Sequence, residues 1–422
     1  MNVKPSILGL QPTFGFGDRL GVATPGHVKA LCRTGGPIRG IFAQQSIREM
    51  SRTGRTAQQV MQAATEALSQ VNYVDAWGAD ADHLKTSEDV HHTAQAGFTF
   101  FTIDPSDYVD RKADDYGHSD LEEKYFALGE HVNWVDLYLG KVVRVPHGPE
   151  ILFDRPTVLR TAVKYGNAIS HALQMGECIQ KAVSQRGGSC ELELSVDETD
   201  QPTSAAEHYI FADQLRRHGL PLVSLAPRFI GNFEKGVDYK GDLQALTTAM
   251  SEHAAIAQYL GPYKLSLHSG SDKLSMYGCL ARSTGGLFHV KTAGTSYMEA
   301  LRVVALRAPA EFREIVSFAR ERYNADKATY HVSATIESVP GPAHIADDIE
   351  LQKIYLERWI DVPTGRGFTS LGRQILHCTF GSILTDPRFG PLVMQVVREN
   401  QALYNEVLIA HFQRHLNALN AG

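Results

Sequence analysis

The chain is poor in cysteine, with five in 422 residues, at 32, 178, 190, 279 and 378, and no Cys-x-x-Cys pair. That sparse, odd count excludes a disulfide scaffold and a zinc ribbon, and it fits free thiols in a reducing cytoplasm. Any bound metal would need His and carboxylate ligands. No apolar run approaches the roughly 20 residues that span a bilayer, and residues 1–13 lack the apolar core of a secretory signal. Basic charge is not in excess: 41 Lys and Arg face 47 Asp and Glu, a net charge of −6. Nucleic acid and membrane are therefore not expected as partners. Neither a Gly-x-Gly-x-x-Gly fingerprint nor a P-loop occurs, so no tightly bound dinucleotide is expected. Repeats and low-complexity tracts are also missing. What remains, 43% hydrophobic and 21% charged, is an ordinary globular composition with ample length for a large core.

Short apolar runs alternate with helical patterns. Eight strands are expected, at 19–24, 40–44, 76–80, 98–103, 190–196, 222–226, 263–268 and 286–291. Helices are expected at 26–33, 57–70, 86–96, 159–186, 203–218, 241–260, near 272–282 and at 295–307. Strand–helix alternation means parallel βαβ units, and eight of them predict an α/β fold, a closed (β/α)8 TIM barrel. An open doubly wound sheet is the competing architecture. The expected barrel domain is 1–308, with a long insertion after strand 4 at 105–158 that crosses the mouth. Within it, 141–153 (KVVRVPHGPEILF) reads as a hairpin. Residues 309–422 read as a helical extension packed on the barrel, clearest at 310–325 and 388–417.

Strand parity sorts the side chains into two faces. In the fifth strand Leu192, Leu194 and Val196 face the helices, and Glu191, Glu193, Ser195 and Asp197 face inward. Lys264, Ser266 and His268 share the inward face of the seventh, as His289 and Lys291 do in the eighth. Burying so many ionisable groups is costly unless they pair, bind metal or bind a polar ligand. Either a structural ion network or a site for a sugar-like ligand follows. Barrel enzymes keep their sites at the strands' C-terminal ends, where these groups cluster.

Four segments carry the candidate chemistry. In GADADHLK (78–85), Asp82, His83 and Lys85 offer a base, a metal ligand and a cation, or only a helix cap with a solvated lysine. In SVDETDQPTS (195–204), Asp197 or Glu198 offers a general base or metal carboxylate, or merely favours a helix start. In LHSGSDK (267–273), His268 is a metal ligand or a satisfied core histidine, Gly270 permits close approach of a ligand, and Asp272 and Lys273 stand at the mouth. In HVKTAGTSYMEAL (289–301), a helix start with Thr292 and Thr295 could hold an anion, and Lys291 is a Schiff-base lysine or a countercharge. Arg228 is a candidate carboxylate clamp. The aromatic loop FIGNFEKG (229–236) is a lid or a packed wall.

Taken together, FGDRLG, FAQQSIRE with RTGRT, GADADH, FTIDPSD, SVDET with PTS, FIG with EKGVDYKGD, SLHSGSDK and TGGLFHVKTAGTSY resemble the tagaturonate/fructuronate epimerase family, from about residue 14 to the C-terminus. The resemblance departs before FGDRLG, where relatives carry a longer segment, and around 105–158. It implies a metal-dependent TIM-barrel enzyme that epimerises D-tagaturonate and D-fructuronate at C4 in hexuronate breakdown. Implied with it are a divalent metal (Zn, Mn or Ni), a small keto-uronate as ligand and a homo-oligomer as one open assembly. Family likeness and inward parity together point to Asp82 and Glu198 as the acid/base pair and to His83 and His268 as metal ligands, with a further carboxylate unassigned. Arg228, Lys291 and Lys85 would hold the substrate, with Asp104, Lys273 and Gln45 completing the binding set. The inverted carbon is β to the ketone, so simple enolisation does not acidify its C–H. Without a dinucleotide fingerprint, retro-aldol cleavage and reclosure is the expected route. An aldolase using Lys291 as a Schiff base and a barrel that only binds a sugar acid are the alternatives.

Overall fold

The computed structural model describes residues 4–422. Eight parallel strands close into a barrel: β1 (Thr13–Gly17), β2 (Arg39–Ser46), β3 (Gly78–Leu84), β4 (Phe100–Ile103), β5 (Glu191–Ser195), β6 (Ser224–Ala226), β7 (Lys264–Leu267) and β8 (Phe288–Thr292). Each pairs with its neighbours in chain order, and β1 closes the ring on β8. The (β/α)8 barrel is present, and an open sheet is excluded. The surrounding helices are Thr24–Thr34, Ala57–Gln70, Ser87–Ala96, Arg155–Ser184, Ala205–Arg217, Leu243–Leu260, Leu274–Thr284 and Thr295–Arg307. Several starts are fixed locally: Thr56, Thr86 and Ser204 each form a capping box with the residue three positions on.

One strand lies elsewhere than expected. The segment 19–24 is a turn, and β1 precedes it at Thr13–Gly17. The Asp18 carboxylate makes the turn by accepting from the backbone N–H groups of Leu20, Gly21 and Ala23, at 3.1, 2.7 and 2.8 Å. The glycines that disguise β1 are demanded by its neighbours. A Cβ on Gly17 would stand 2.7 Å from the backbone of Thr292 and Ala293.

The barrel interior is layered. Leu8, Ile41 and Phe100 plug its base, where Glu191 accepts the Leu8 N–H at 3.0 Å. Above them lie Asp80, Thr102, Glu193, His289 and Lys291, all buried. The apolar core sits outside this, between the strands and their helices.

The segment between β4 and Arg155 holds a helix (His118–Leu128) and an antiparallel hairpin of Val142–Arg144 with Glu150–Leu152. It does not cross the mouth. It lies on the outer helices, where the Tyr138 hydroxyl donates to Asp213 (2.8 Å) and accepts from Gln214 (2.6 Å), and the Phe153 ring packs on Tyr209. The apolar faces of those helices offer it a drier surface than the polar mouth does. Of this segment, Arg111 alone among the described residues lines the central cavity.

Residues beyond 308 are helical, ending in Gln401–Asn420. A buried network fastens this region to the barrel. Asp272, after β7, is 2.9 Å from Arg373 and 2.9 Å from His411, whose other ring nitrogen is 3.1 Å from Glu299. Tyr404 donates to the Ser296 carbonyl (2.9 Å) and Gln401 to that of Val22 (3.1 Å). No helix among the described residues is long and apolar enough to cross a membrane.

His27 links three elements. Its ring stacks on Phe16, and its Nε2 meets Ser296 Oγ at 2.7 Å, which in turn donates to the Gly17 carbonyl. Complete burial pushes this imidazole down to about 4. The unfolded chain takes up a proton near the ordinary value of about 6.5 that the folded chain refuses. This contribution to stability is therefore complete above about 6.5 and is lost as pH falls toward about 4, at about 1.4 kcal/mol per pH unit. Urea unfolding between pH 6.5 and 4.5 should therefore have a pH slope smaller in His27→Gln than in the unsubstituted protein, by about 1.4 kcal/mol per pH unit. An unchanged slope would contradict it.

Candidate active site

A cavity of about 730 Å³ opens at the C-terminal ends of the strands, within the range of small-molecule sites. Beneath it sits Lys291, with Nζ 2.8 Å from Asp80, 2.7 Å from Asp82 and 2.9 Å from Glu193. It also donates to Thr102 Oγ1 at 2.6 Å, and that hydroxyl lies 3.0 Å from Asp80 and 3.2 Å from Glu193. Burial opposes the charge, but the three carboxylates hold the ammonium well above its usual value.

Two of those carboxylates orient histidines. Asp82 Oδ1 is 2.7 Å from His83 Nδ1, and Glu193 Oε1 is 2.7 Å from His268 Nε2. The free edges of both rings turn toward Asp197, 3.8 Å from His83 Nε2 and 3.3 Å from His268 Nδ1. Glu198 lies 3.9 Å from His83 Nε2 and 2.7 Å from Arg48. Alternation alone would turn His83 away from the face of Asp82. The ladder between β3 and β4 slips between Ala81 and Leu84, and His83 takes the left-handed φ of 55°. Such a bulge re-aims a side chain, here into the mouth.

Burial penalises charge throughout this cluster, yet neighbours override it. Asp82, Asp197 and Asp104 hold His83 well above its usual value, against the cost of burial. His268 is raised by Asp197 and Glu193, against burial and the nearby Lys291. Against burial, Asp82 is held well below the carboxylate range by His83 and then Lys291, Glu193 by Lys291 and then His268, and Asp197 by His268 and His83. Three carboxylates thus share one ammonium, Asp197 faces the two imidazoles, and this excess of negative charge favours protons on both rings. One ligand atom each from Asp82, His83 and His268 lies within 4.8 Å of the others, a spacing suited to one divalent cation. His83, Asp104 and Glu198 meet the same spacing.

Of the residues singled out from sequence, Asp82, His83, Asp197, Glu198, Arg228, His268 and Lys291 line the cavity. Four expected binding residues do not. Lys85 reaches Asp107 (2.7 Å) and Ser106 (2.9 Å). Asp104 is buried beside them, accepting the Ser106 N–H. Lys273 donates to the carbonyls of Glu234 and Val237 and so fixes the loop after β6. Gln45 is buried, with Arg55 3.4 Å from its carbonyl. Gly270 approaches β8, not a ligand: its N–H donates to the Lys291 carbonyl at 2.9 Å. The Thr292 hydroxyl is spent on the Gly15 carbonyl.

The aromatic loop 229–236 does wall the cavity, through Phe229, Phe233, Lys235 and Gly236, but sequence reading assigned Lys235 no role and missed Arg19, Arg48, Glu49, Tyr330, His331 and His377. Arg19 and Glu49 form a buried pair at 2.5 Å, with Glu49 fixed by a capping box on Ser46. A basic residue in a glycine-rich turn and an acid three positions after Ser46 were the available signals. Tyr330, His331 and His377 come from the helical extension, which carries no periodic sign of reaching the mouth.

Residues 1–419 match the family described as UxaE: tagaturonate epimerase. The chain is 40% identical to a tagaturonate/fructuronate epimerase of Thermotoga maritima, over 99% of this chain and 82% of that one. It is similar to the native and glycerol-complexed crystal structures of fructuronate-tagaturonate epimerase UxaE from Cohnella laeviribosi, each with a TM-score of 0.90 and 37% identity over 99% of this chain and 83% of that one.

Lys291→Met should strip three buried carboxylates of their shared partner. We expect a loss of roughly 3–5 kcal/mol in urea unfolding at pH 7, shrinking at pH 5 as the carboxylates take up protons. A loss under about 1 kcal/mol would show that the ammonium is not their partner.

Proposed function

Because this chain belongs to the tagaturonate epimerase family, we propose that it interconverts D-tagaturonate and D-fructuronate at C4, a step in hexuronate breakdown, by metal-assisted retro-aldol cleavage and reclosure. The observation that carries this reading is the cluster of Asp82, His83 and His268 beside Asp197 and Glu198, in a cavity that this family-wide match includes. The donor set suits Zn, Mn or Ni. Such an ion, when bound, supplies Lewis-acid stabilisation of negative charge on the sugar oxygens.

The chain's own residues divide the remaining work. Asp82 spends Oδ1 on Lys291 and His83, so it joins the donor set rather than the proton-handling pair. Glu198, paired with Arg48 at the mouth, and Asp197 between the two imidazoles are the carboxylates outside the Lys291 cluster, and to them we assign proton exchange with O4. In cleavage, one of them takes the O4 proton, the C3–C4 electron pair moves to C3, and C4 becomes an aldehyde. The aldehyde rotates about C4–C5. Reclosure returns the electron pair to C4 on its other face and the proton to O4. No oxidant is needed, and C4 keeps its hydrogen. The Schiff-base alternative finds no support, because Lys291 is an ammonium bonded to three carboxylates and a nucleophile must be a free amine.

Proton NMR of metal-stripped protein with D-tagaturonate should show no change, and fructuronate should appear when Mn, Zn or Ni is restored. In D2O the C4 position should stay protonated; deuterium there would overturn the retro-aldol route. Adding the ion to weakly buffered protein should also release protons, as His83 and His268 give theirs up. Turnover without metal, or no proton release, would defeat the metal assignment.

A further inference from the structure

Six Lys and Arg side chains line the cavity, and three are committed to carboxylates. Lys291 serves three carboxylates, Arg48 serves Glu198, and Arg19 gives Nε and Nη2 to Glu49. Of the other three, Arg111, Arg228 and Lys235, it is Lys235, on the loop after β6, that stands beside further unspent polar groups. It donates to the neutral Ser269 hydroxyl, and among the described residues no ion pair joins it to a carboxylate. Two further groups at this cavity are unspent. Arg19 Nη1 and His377 Nδ1 are buried with no hydrogen-bond partner among the described residues. The His377 ring rests on Gly294, at the start of the Thr295–Arg307 helix, where a Cβ would stand 2.1 Å from its Cε1. Burial and the Arg48 charge both disfavour the Lys235 ammonium. His377 is held well below its usual value by burial, then by Arg19 and Lys235. An ammonium without a counterion, an unused guanidinium N–H and a neutral imidazole form a seat that lacks only an anion.

Building on the proposed function, we propose that the substrate carboxylate docks on Lys235, with Arg19 Nη1 and the His377 ring completing its seat. Arg228, the clamp expected from sequence, is half-buried, gives Nη1 to the Phe229 carbonyl and leans over Phe233. The seat adjoins the histidine pair, since Ser269 directly follows His268. It also bears on the chemistry. The fragment that carries the C4 aldehyde is the one that carries the carboxylate, so an anchored carboxylate keeps that fragment in the cavity while its aldehyde turns.

The test is calorimetric binding of D-tagaturonate to metal-loaded enzyme, with turnover followed by NMR, for wild type, Lys235→Met, Lys235→Arg and Arg228→Gln, each checked by circular dichroism. A charge-assisted bond of this kind is worth roughly 10- to 100-fold in affinity. Lys235→Met should raise Kd and KM by about that factor and release free three-carbon aldehyde acid during turnover. Lys235→Arg should recover most of the affinity, and Arg228→Gln should weaken binding less than Lys235→Met does. A Lys235→Met enzyme within about twofold of wild type, or a larger loss in Arg228→Gln, would overturn the seat. Wild type that binds but never epimerises, with binding still lost in Lys235→Met, would uphold the seat and sink the functional reading. Wild type that does not bind would overturn both.

Discussion

One ammonium holds the mouth of this barrel in register. Lys291 reaches across the interior from β8 to carboxylates on β3 and β5, and each passes its orientation to a histidine: Asp82 to His83 and Glu193 to His268. Thr102, on the strand between, ties both carboxylate strands to the same centre. The two imidazoles are thereby fixed by the nitrogen they turn inward, which decides the nitrogen each presents to the cavity. Such a core is poor at stabilising a fold. Well-packed apolar side chains of similar volume would often be neutral or better there, so the cluster is a cost accepted for chemistry.

Stability comes from other layers. The continuous apolar shell lies between strands and helices, and the helical extension is bolted on through Asp272, Arg373, His411 and Glu299. That bolt has a functional side. Arg373 also donates to the Gly236 carbonyl, one residue from Lys235, and His377 lies one helical turn beyond Arg373. The network that docks the extension therefore also sets the basic side of the cavity.

The barrel was legible because apolar runs and helical periods alternate strongly, and because buried inward acids are rare enough to mark a site. β1 was not legible, since its signal is two aromatics among glycines whose absent side chains matter only against β8 and β2. The mouth was legible only in part. Parity found Asp82 and His268, but the inward turn of His83 depends on a bulge and a left-handed φ that no alternation rule contains. Lys273 looked like a mouth cation and is a buried loop anchor instead. Arg19, Lys235 and His377 converge from three distant segments, a relation created only by folding.

Among the described residues, two Asp–His–His groups have the spacing of a metal site, and they differ in what spacing leaves out. In the group of Asp272, His411 and His415, every ring nitrogen lies against a charged or hydrogen-bonding neighbour of the fold itself, although His411 Nε2 meets Asp272 only as an ion-pair contact. His415 Nε2 accepts the Asp272 N–H at 3.1 Å, and its Nδ1 faces the His411 carbonyl at 3.1 Å. Both His411 nitrogens meet carboxylates, which hold that ring above its usual value against the cost of burial. Arg373 adds a second positive charge on Asp272. A cation there would have to displace His411 from Asp272 and oppose a guanidinium. In the group of Asp82, His83 and His268, the outer nitrogens face carboxylates at 3.3 to 3.9 Å and, at His268, the Ser195 hydroxyl at 3.4 Å, on the wall of an open cavity. Their protons compensate negative charge that a cation can compensate instead. A ligand set is defined by the lone pairs the fold leaves unused, and in this chain that criterion separates the centre suited to catalysis from the bolt that holds it in place.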